Sequence, residues 1–149
     1  MLIEMRPAAN SDFDYCRSLY FGEMKWIINE LRLDLVAQES SFQQQWNPMQ
    51  VHIITVDDAD AGWVQTIRQE EALFIAQIIV ERRFQRRGVG TEIMKRLIAD
   101  AAQMGLPLLL SVVKINPARR LYQRLGFQIT HEDERKYYMK RDINAGNHP

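Results

Sequence analysis

Val80-Glu81-Arg82-Arg83-Phe84-Gln85-Arg86-Arg87-Gly88-Val89-Gly90-Thr91 follows the nearly unbroken apolar run Ala72–Val80 and leads into the helical pattern Thr91–Met104. A buried strand, a glycine-containing turn and a helix start, in that order, gather main-chain N–H groups at one point, which is the geometry that holds an anion. Gly88 and Gly90 let the main chain approach a ligand with no Cβ in the way, and they permit positive φ. Arg82, Arg83, Arg86 and Arg87 add positive charge beside them. Spacing alone leaves two readings open. Position 93 is Ile, so the dinucleotide pattern G-x-G-x-x-G fails, and no Walker A sequence is present. The glycines equally suit a bare strand-to-helix turn, and the arginines a solvated loop.

Working outward, Leu2–Arg6 reads as a first strand, followed by a helix from Ser11, its expected N-cap, to about Leu31. Asp34–Trp46 reads as a second helix, ending at Asn47-Pro48. Val51–Val56 is β-branched, and the cluster Asp57–Gly62 reads as a turn into the strand Trp63–Arg68. Ala72–Val80, interrupted only by Gln77, reads as a central strand covered on both faces. Beyond the glycine turn, Thr91–Met104 is an amphipathic helix that Gly105 closes, and Leu108–Val113 is a buried strand. Pro117–Leu125 reads as a short helix with proline at its first position. Phe127–Thr130 and Lys136–Met139 read as a closing hairpin, with residues 143–149 a polar tail expected to fray. The order predicts a mixed α/β sheet, not the regular alternation of a doubly wound fold.

The bulk properties narrow the function classes. A chain of 149 residues suits one domain over 1–149. Apolar residues at 46% and charged residues at 26% are ordinary globular usage. Formal net charge is zero, so the basic excess expected of a nucleic-acid binder is missing. Cys16 is the one cysteine, which excludes an internal disulfide, and His52, His131 and His148 show no metal-ligand spacing. No metal is expected. No apolar run approaches the length of a membrane span, and Glu4 and Arg6 interrupt any leader-like h-region, so a cytoplasmic protein without a membrane role is expected.

Downstream lies Leu110-Ser111-Val112-Val113-Lys114-Ile115-Asn116-Pro117-Ala118-Arg119-Arg120-Leu121-Tyr122-Gln123-Arg124-Leu125-Gly126-Phe127. Together with Gln85-Arg86-Arg87-Gly88-Val89-Gly90 it resembles the GCN5-related N-acetyltransferase (GNAT) family. In that family the first loop is written Q/R-x-x-G-x-G/A, and the second region is a strand, an Asn, a short helix bearing a Tyr, then Gly-Phe. The resemblance is motif-level from about Ala72 to Thr130 and covers nearly the whole chain in element order. It implies a GNAT-like acyl-CoA N-acyltransferase fold of about seven strands with flanking helices. Two departures stand out: the Asn116-to-Tyr122 separation is one residue shorter than in many members, and position 119, often small, is Arg.

The resemblance also implies roles. Main-chain amides of Arg86, Arg87, Gly88, Val89, Gly90 and Thr91 would bind the pyrophosphate of acetyl-CoA, the co-substrate, with Gln85 ordering the loop. Ile78, Ile79 and Val80 would pair with the pantetheine arm as an added strand does. Asn116 would hydrogen-bond that arm, and Arg119 or Arg120 would approach the nucleotide phosphates. Direct attack of an amine on the thioester needs a neutral amine, which for an ordinary lysine-like group costs about 4–5 kcal/mol at neutral pH. It also needs a proton for the departing thiolate, and Tyr122 is the expected acid.

No carboxylate lies inside Ala72–Val80; Glu71, Glu23 and His52 are the candidates for help with the amine proton. Tyr20, Trp26, Phe42, Trp46, Tyr137 and Tyr138 either frame an acceptor slot or fill the core, and Glu23, Glu30, Asp34 and Glu39 either attract a cationic amine or simply solvate. The expected acceptor is the amine of a small molecule or peptide. A non-catalytic acyl-CoA-binding or sensing domain is the alternative, motivated by the missing strand carboxylate. A homodimer is a common arrangement for enzymes of this size.

Overall fold

In the computed structural model, residues 1–145 are described; positions 146–149, including His148 and most of the expected tail, lie outside them. The elements are β1 (Ile3–Pro7), α1 (Phe13–Glu30), α2 (Leu35–Gln45), β2 (Val51–Val56), β3 (Ala59–Arg68), β4 (Leu73–Val80), α3 (Val89–Met104), β5 (Leu108–Val113), α4 (Arg119–Arg124), β6 (Gln128–Glu132) and β7 (Lys136–Arg141). The strands form a seven-stranded sheet in the order β1-β2-β3-β4-β5-β7-β6, so the fold is mixed α/β as expected. The chain divides into two compact units, one of Met1–Gln65 with Gln77–Gly90, the other of Thr66–Ala76 with Thr91–Pro149.

In the first unit β1, β2 and β3 form an antiparallel meander. Asp57 and Asp58, with φ of 49° and 69°, make a two-residue turn of the kind that suits the twist of a hairpin. The turn is therefore shorter than the cluster Asp57–Gly62 suggested: Asp60 and Gly62 already pair with Thr55 and Ile54. The first helix also starts differently. A 3-10 turn over Asn10–Asp12 precedes α1, and Ser11 is not its cap; Asp12 occupies that position and its carboxylate accepts from Ala9 N at 2.8 Å and grips Arg6. Asp34 does cap α2, accepting from Val36 N at 3.2 Å.

The core of this unit is aromatic. Phe42, Val51, Ile53, Trp63, Ile79 and Cys16 are buried together, with Phe13, Tyr20, Phe21 and Trp46 packed against them. Phe42 meets Trp63 edge-on at 5.9 Å and Phe13 meets Trp46 at 5.3 Å, the tilted geometry that ring quadrupoles favour. Cys16 is fully buried, and desolvation pushes its thiol up to about 12.

In the second unit β4 and β5 pair in parallel at Leu73↔Leu108 and Phe74↔Leu109, and among the described residues of this unit the pairing goes no further. β5 continues against β7 from Leu108 to Val113. Helix α3 buries Ile93, Met94, Leu97 and Ala101 and ends at Gly105, whose φ of 70° is the left-handed termination that glycine allows. The shorter α4 starts at Arg119, not at Pro117. Asn116 Oδ1 accepts from Ala118 N at 3.0 Å, and this side-chain turn takes up the two residues assigned to the helix start. The closing hairpin runs longer than its apolar residues suggested, with β6 ending at Glu132 and β7 at Arg141.

Gly62 is where β3 closes against the end of β4: a Cβ there would lie 2.2 Å from Ile79 O and 3.0 Å from Val80 Cα. Both neighbours are backbone, so relief requires the strands to separate. Gly62→Ala should lower unfolding stability by about 2–3 kcal/mol, read as a reduced midpoint in urea at unchanged slope.

Candidate active site: the turn between β4 and α3

β4 stops at Val80 because Glu81 N donates to Ala61 O at 2.8 Å and the chain then tightens into a 3-10 turn over Arg82–Phe84. Phe84 N returns to Glu81 O at 2.9 Å and Gln85 N to Arg82 O at 3.1 Å. Phe84 is the buried anchor of this turn, with the guanidinium groups of Arg83 and Arg87 over its ring at 4.6 Å and 5.8 Å. The next buried anchor is Val89, and Gln85 to Gly88 between them are exposed. Two left-handed residues, Arg86 at φ 63° and Gly88 at φ 80°, swing the chain into α3. The helix consequently begins at Val89, ahead of the expected Thr91.

Gln85 closes the turn. Its Nε2 donates to Val80 O at 2.8 Å and to Glu23 on α1 at 3.2 Å. Val89 and Gly90 open α3, and the first N–H groups of a helix have no intrahelical acceptor. A Cβ built on Gly88 or on Gly90 would meet no described atom within 4 Å. An exposed set of donors under open space is the chemistry that receives a diphosphate.

Sequence reading missed the groups that brace this turn. Tyr15 on α1 donates to Glu81 Oε1 at 3.0 Å, while Arg83 Nε donates to Glu81 Oε2 at 2.7 Å. Burial, and then the Glu81 carboxylate, hold the Tyr15 phenol well above its usual range. Arg6, paired with Asp12 at 3.0 Å and Asp60 at 3.4 Å, sits next in line, and Arg83 Nη2 donates to Asp60 O. Residue separations of 54 and 66 leave no local signal for such pairs.

The other motif lies in the second unit. Tyr122 stands on α4 with its ring 6.0 Å from Phe127, and Phe127 N donates to Tyr122 O at 3.0 Å. Burial raises the Tyr122 pKa, so the phenol keeps its proton throughout the neutral range. Asn116 uses its side-chain oxygen on Ala118 N, a bond that does not involve its amide N–H groups. Arg119 lies with its guanidinium 5.0 Å over Tyr137, and Arg120 is exposed.

The remaining candidates have ordinary surroundings. Glu71 is exposed in the bend ahead of β4, His52 is exposed on β2, and Glu23 holds Gln85. Tyr20, Phe42 and Trp46 belong to the core, whereas Trp26 is 48% exposed. Tyr138 stacks on His131 and donates to Asp133 at 2.8 Å. Glu39 pairs with Arg17 and Asp34 caps its helix, so neither is a spare carboxylate. No helix among the described residues is long and apolar enough to cross a membrane.

A family model for acetyltransferases of the GNAT type matches residues 14–127. The chain belongs to the GNAT family. Members of this family are generally acyltransferases, and the β4–α3 turn and the Asn116–Tyr122 segment both fall inside the matched region. No curated protein sequence matches this GNAT chain significantly. Among solved structures, it is similar to the PaiA N-acetyltransferase of Thermoplasma acidophilum in complex with coenzyme A, at a TM-score of 0.78 and 13% identity over 95% of this chain and 99% of that one. It is also similar to the ribosomal-protein-S18-alanine N-acetyltransferase of Escherichia coli, at 0.71 and 18% over 95% and 94%. Ard1 of Thermoplasma volcanium gives 0.68 and 19% over 95% and 97%. These structural similarities show the GNAT fold.

The two glycines of the turn differ in backbone conformation, and substitution should separate them. Gly88→Ala forces an alanine to φ near 80° and should lower stability by about 1–2 kcal/mol. Gly90→Ala places alanine in the first turn of α3 with open space around it and should raise stability by about 0.5 kcal/mol. Thermal unfolding of the two variants without ligand checks the opposite signs.

Proposed function

We propose that the chain is an N-acetyltransferase that moves the acetyl group of acetyl-CoA onto a primary amine of a small molecule or peptide. One observation carries this reading: the exposed turn Gln85–Gly88 runs into the open N-terminus of α3, under space that a Cβ at Gly88 or Gly90 would enter. The residues present suit coenzyme A. Amides of Arg86, Arg87, Gly88, Val89, Gly90 and Thr91 receive the diphosphate, and Ile78, Ile79 and Val80 offer their main chain to the pantetheine arm. Asn116 contributes its amide N–H groups, and Arg119 stands as the cation for nucleotide phosphates.

In this reading the neutral amine attacks the thioester carbonyl carbon, the carbon–sulfur bond breaks, and the thiolate takes the phenolic proton of Tyr122. The surplus proton on the nitrogen passes to water or to an acceptor-side group. Burial keeps the Tyr122 phenol protonated at neutral pH, so a proton is present for the departing sulfur.

Thermal unfolding with coenzyme A tests the cofactor. Ligand at about a hundredfold excess over its dissociation constant should add about 2.7 kcal/mol of stability. Thiol release from acetyl-CoA across a panel of amines tests the reaction, and binding without release would favour a sensing domain. Tyr122→Phe should reduce kcat about a hundredfold. Because the Tyr122 pKa is raised, activity should not fall with loss of its proton until the pH passes the ordinary tyrosine value of about 10. An unchanged kcat in the variant removes Tyr122 from the acid role.

A further inference from the structure

Two side chains of α1 reach the β4–α3 turn, one at each shoulder. Tyr15 holds Glu81 where β4 ends, at 3.0 Å, and Glu23 holds Gln85 where the 3-10 turn ends, at 3.2 Å. Both partners flank the buried Phe84, so the stretch that precedes the exposed donors is fixed at three points. We propose that α1 is the splint of the cofactor turn, with Glu23 and Tyr15 as its positioning residues. The inference rests on reading that turn as the coenzyme A site.

Chemistry supports the assignment of the Gln85 amide. Val80 O and the Glu23 carboxylate are both acceptors, so the NH2 end of the side chain must face them. Its two hydrogens are thereby both engaged. The bond to Val80 closes the turn on itself, whereas the bond to Glu23 is the one that fixes it laterally to a helix. Tyr15 makes the matching bond at the other shoulder, where Arg83 holds the second oxygen of Glu81.

Charge makes Glu23 diagnostic. A carboxylate beside a turn that receives a diphosphate repels the ligand, so on electrostatics alone its removal should strengthen binding. A carboxylate that positions Gln85 has the opposite effect, because the donors of Arg86–Gly90 are useful only while they stay aimed. Neutral glutamine separates the two, for it keeps an accepting oxygen and discards the charge. Alanine discards both.

The test is calorimetric titration of free coenzyme A into the wild type, Glu23→Ala, Glu23→Gln and Tyr15→Phe, with hydrogen exchange of the unliganded proteins. Glu23→Ala should weaken binding roughly tenfold, Tyr15→Phe roughly threefold, and Glu23→Gln should match or exceed the wild type. Exchange of the hydrogen-bonded amides of Phe84 and Gln85 should accelerate in Glu23→Ala and return to the wild-type rate in Glu23→Gln. If alanine and glutamine shift affinity the same way, or alanine leaves both readouts unchanged, α1 is no splint. A wild type that fails to bind coenzyme A sinks the functional reading instead, and the exchange data then decide the positioning role alone.

Discussion

A single side-chain amide closes the turn on which the site depends. Gln85 reaches back to the last carbonyl of β4, and the five residues from Val80 to Phe84 are thereby folded into a compact knuckle instead of trailing as a loop. A neutral hydrogen bond of this kind is worth about 1 kcal/mol, and the one to a carboxylate somewhat more, discounted here by exposure. That is small against the packing of Phe84 and Val89, whose burial supplies most of the hold. The amide therefore acts as a director. It selects one of several ways to join two well-anchored residues, and the selected one keeps Gln85 to Gly88 exposed.

The conformational expense of that choice is visible. Arg86 adopts a left-handed backbone that an arginine enters at about 1–2 kcal/mol, next door to a glycine that enters it freely. Strain of this sort survives where neighbours over-determine the geometry. Here they do. Gly62 lets β3 press onto Ile79 and Val80, Ala61 O takes the Glu81 amide, and the chain Asp12–Arg6–Asp60–Arg83–Glu81–Tyr15 braces the end of the strand. Each exposed ion pair contributes little singly. Linked in series around a half-buried phenol, they restrict the turn together.

Much of this was legible in the chain because the decisive signals are local. The apolar run ending at Val80, the glycines at 88 and 90, and the amphipathic period from Ile93 to Ala101 are contiguous features, each governed by its own backbone preferences. Boundaries were less legible where a side chain outbid the periodic pattern. The Asx turn of Asn116 delayed α4, and the tolerance of Asp57 and Asp58 for positive φ shortened the hairpin turn and admitted Asp60 to the strand. The bracing pairs were illegible altogether. Glu23 and Gln85 stand 62 positions apart, Tyr15 and Glu81 stand 66, and nothing in composition or spacing links them. Nor does periodicity tell a core aromatic from a ligand-facing one: Phe42 and Trp26 look alike in the sequence, yet one is sealed and the other half open.

The burial of Cys16 has a practical side for a chain whose proposed turnover liberates a thiol. With its sulfur buried and its thiol pKa pushed up by desolvation, Cys16 of the folded protein is a poor target for a chromogenic disulfide reagent, so the colour reports the released coenzyme. The same seclusion denies that coenzyme any partner on the enzyme for a mixed disulfide. Accumulated product can compete for the site, but it finds no accessible thiol on the folded chain to trap it there.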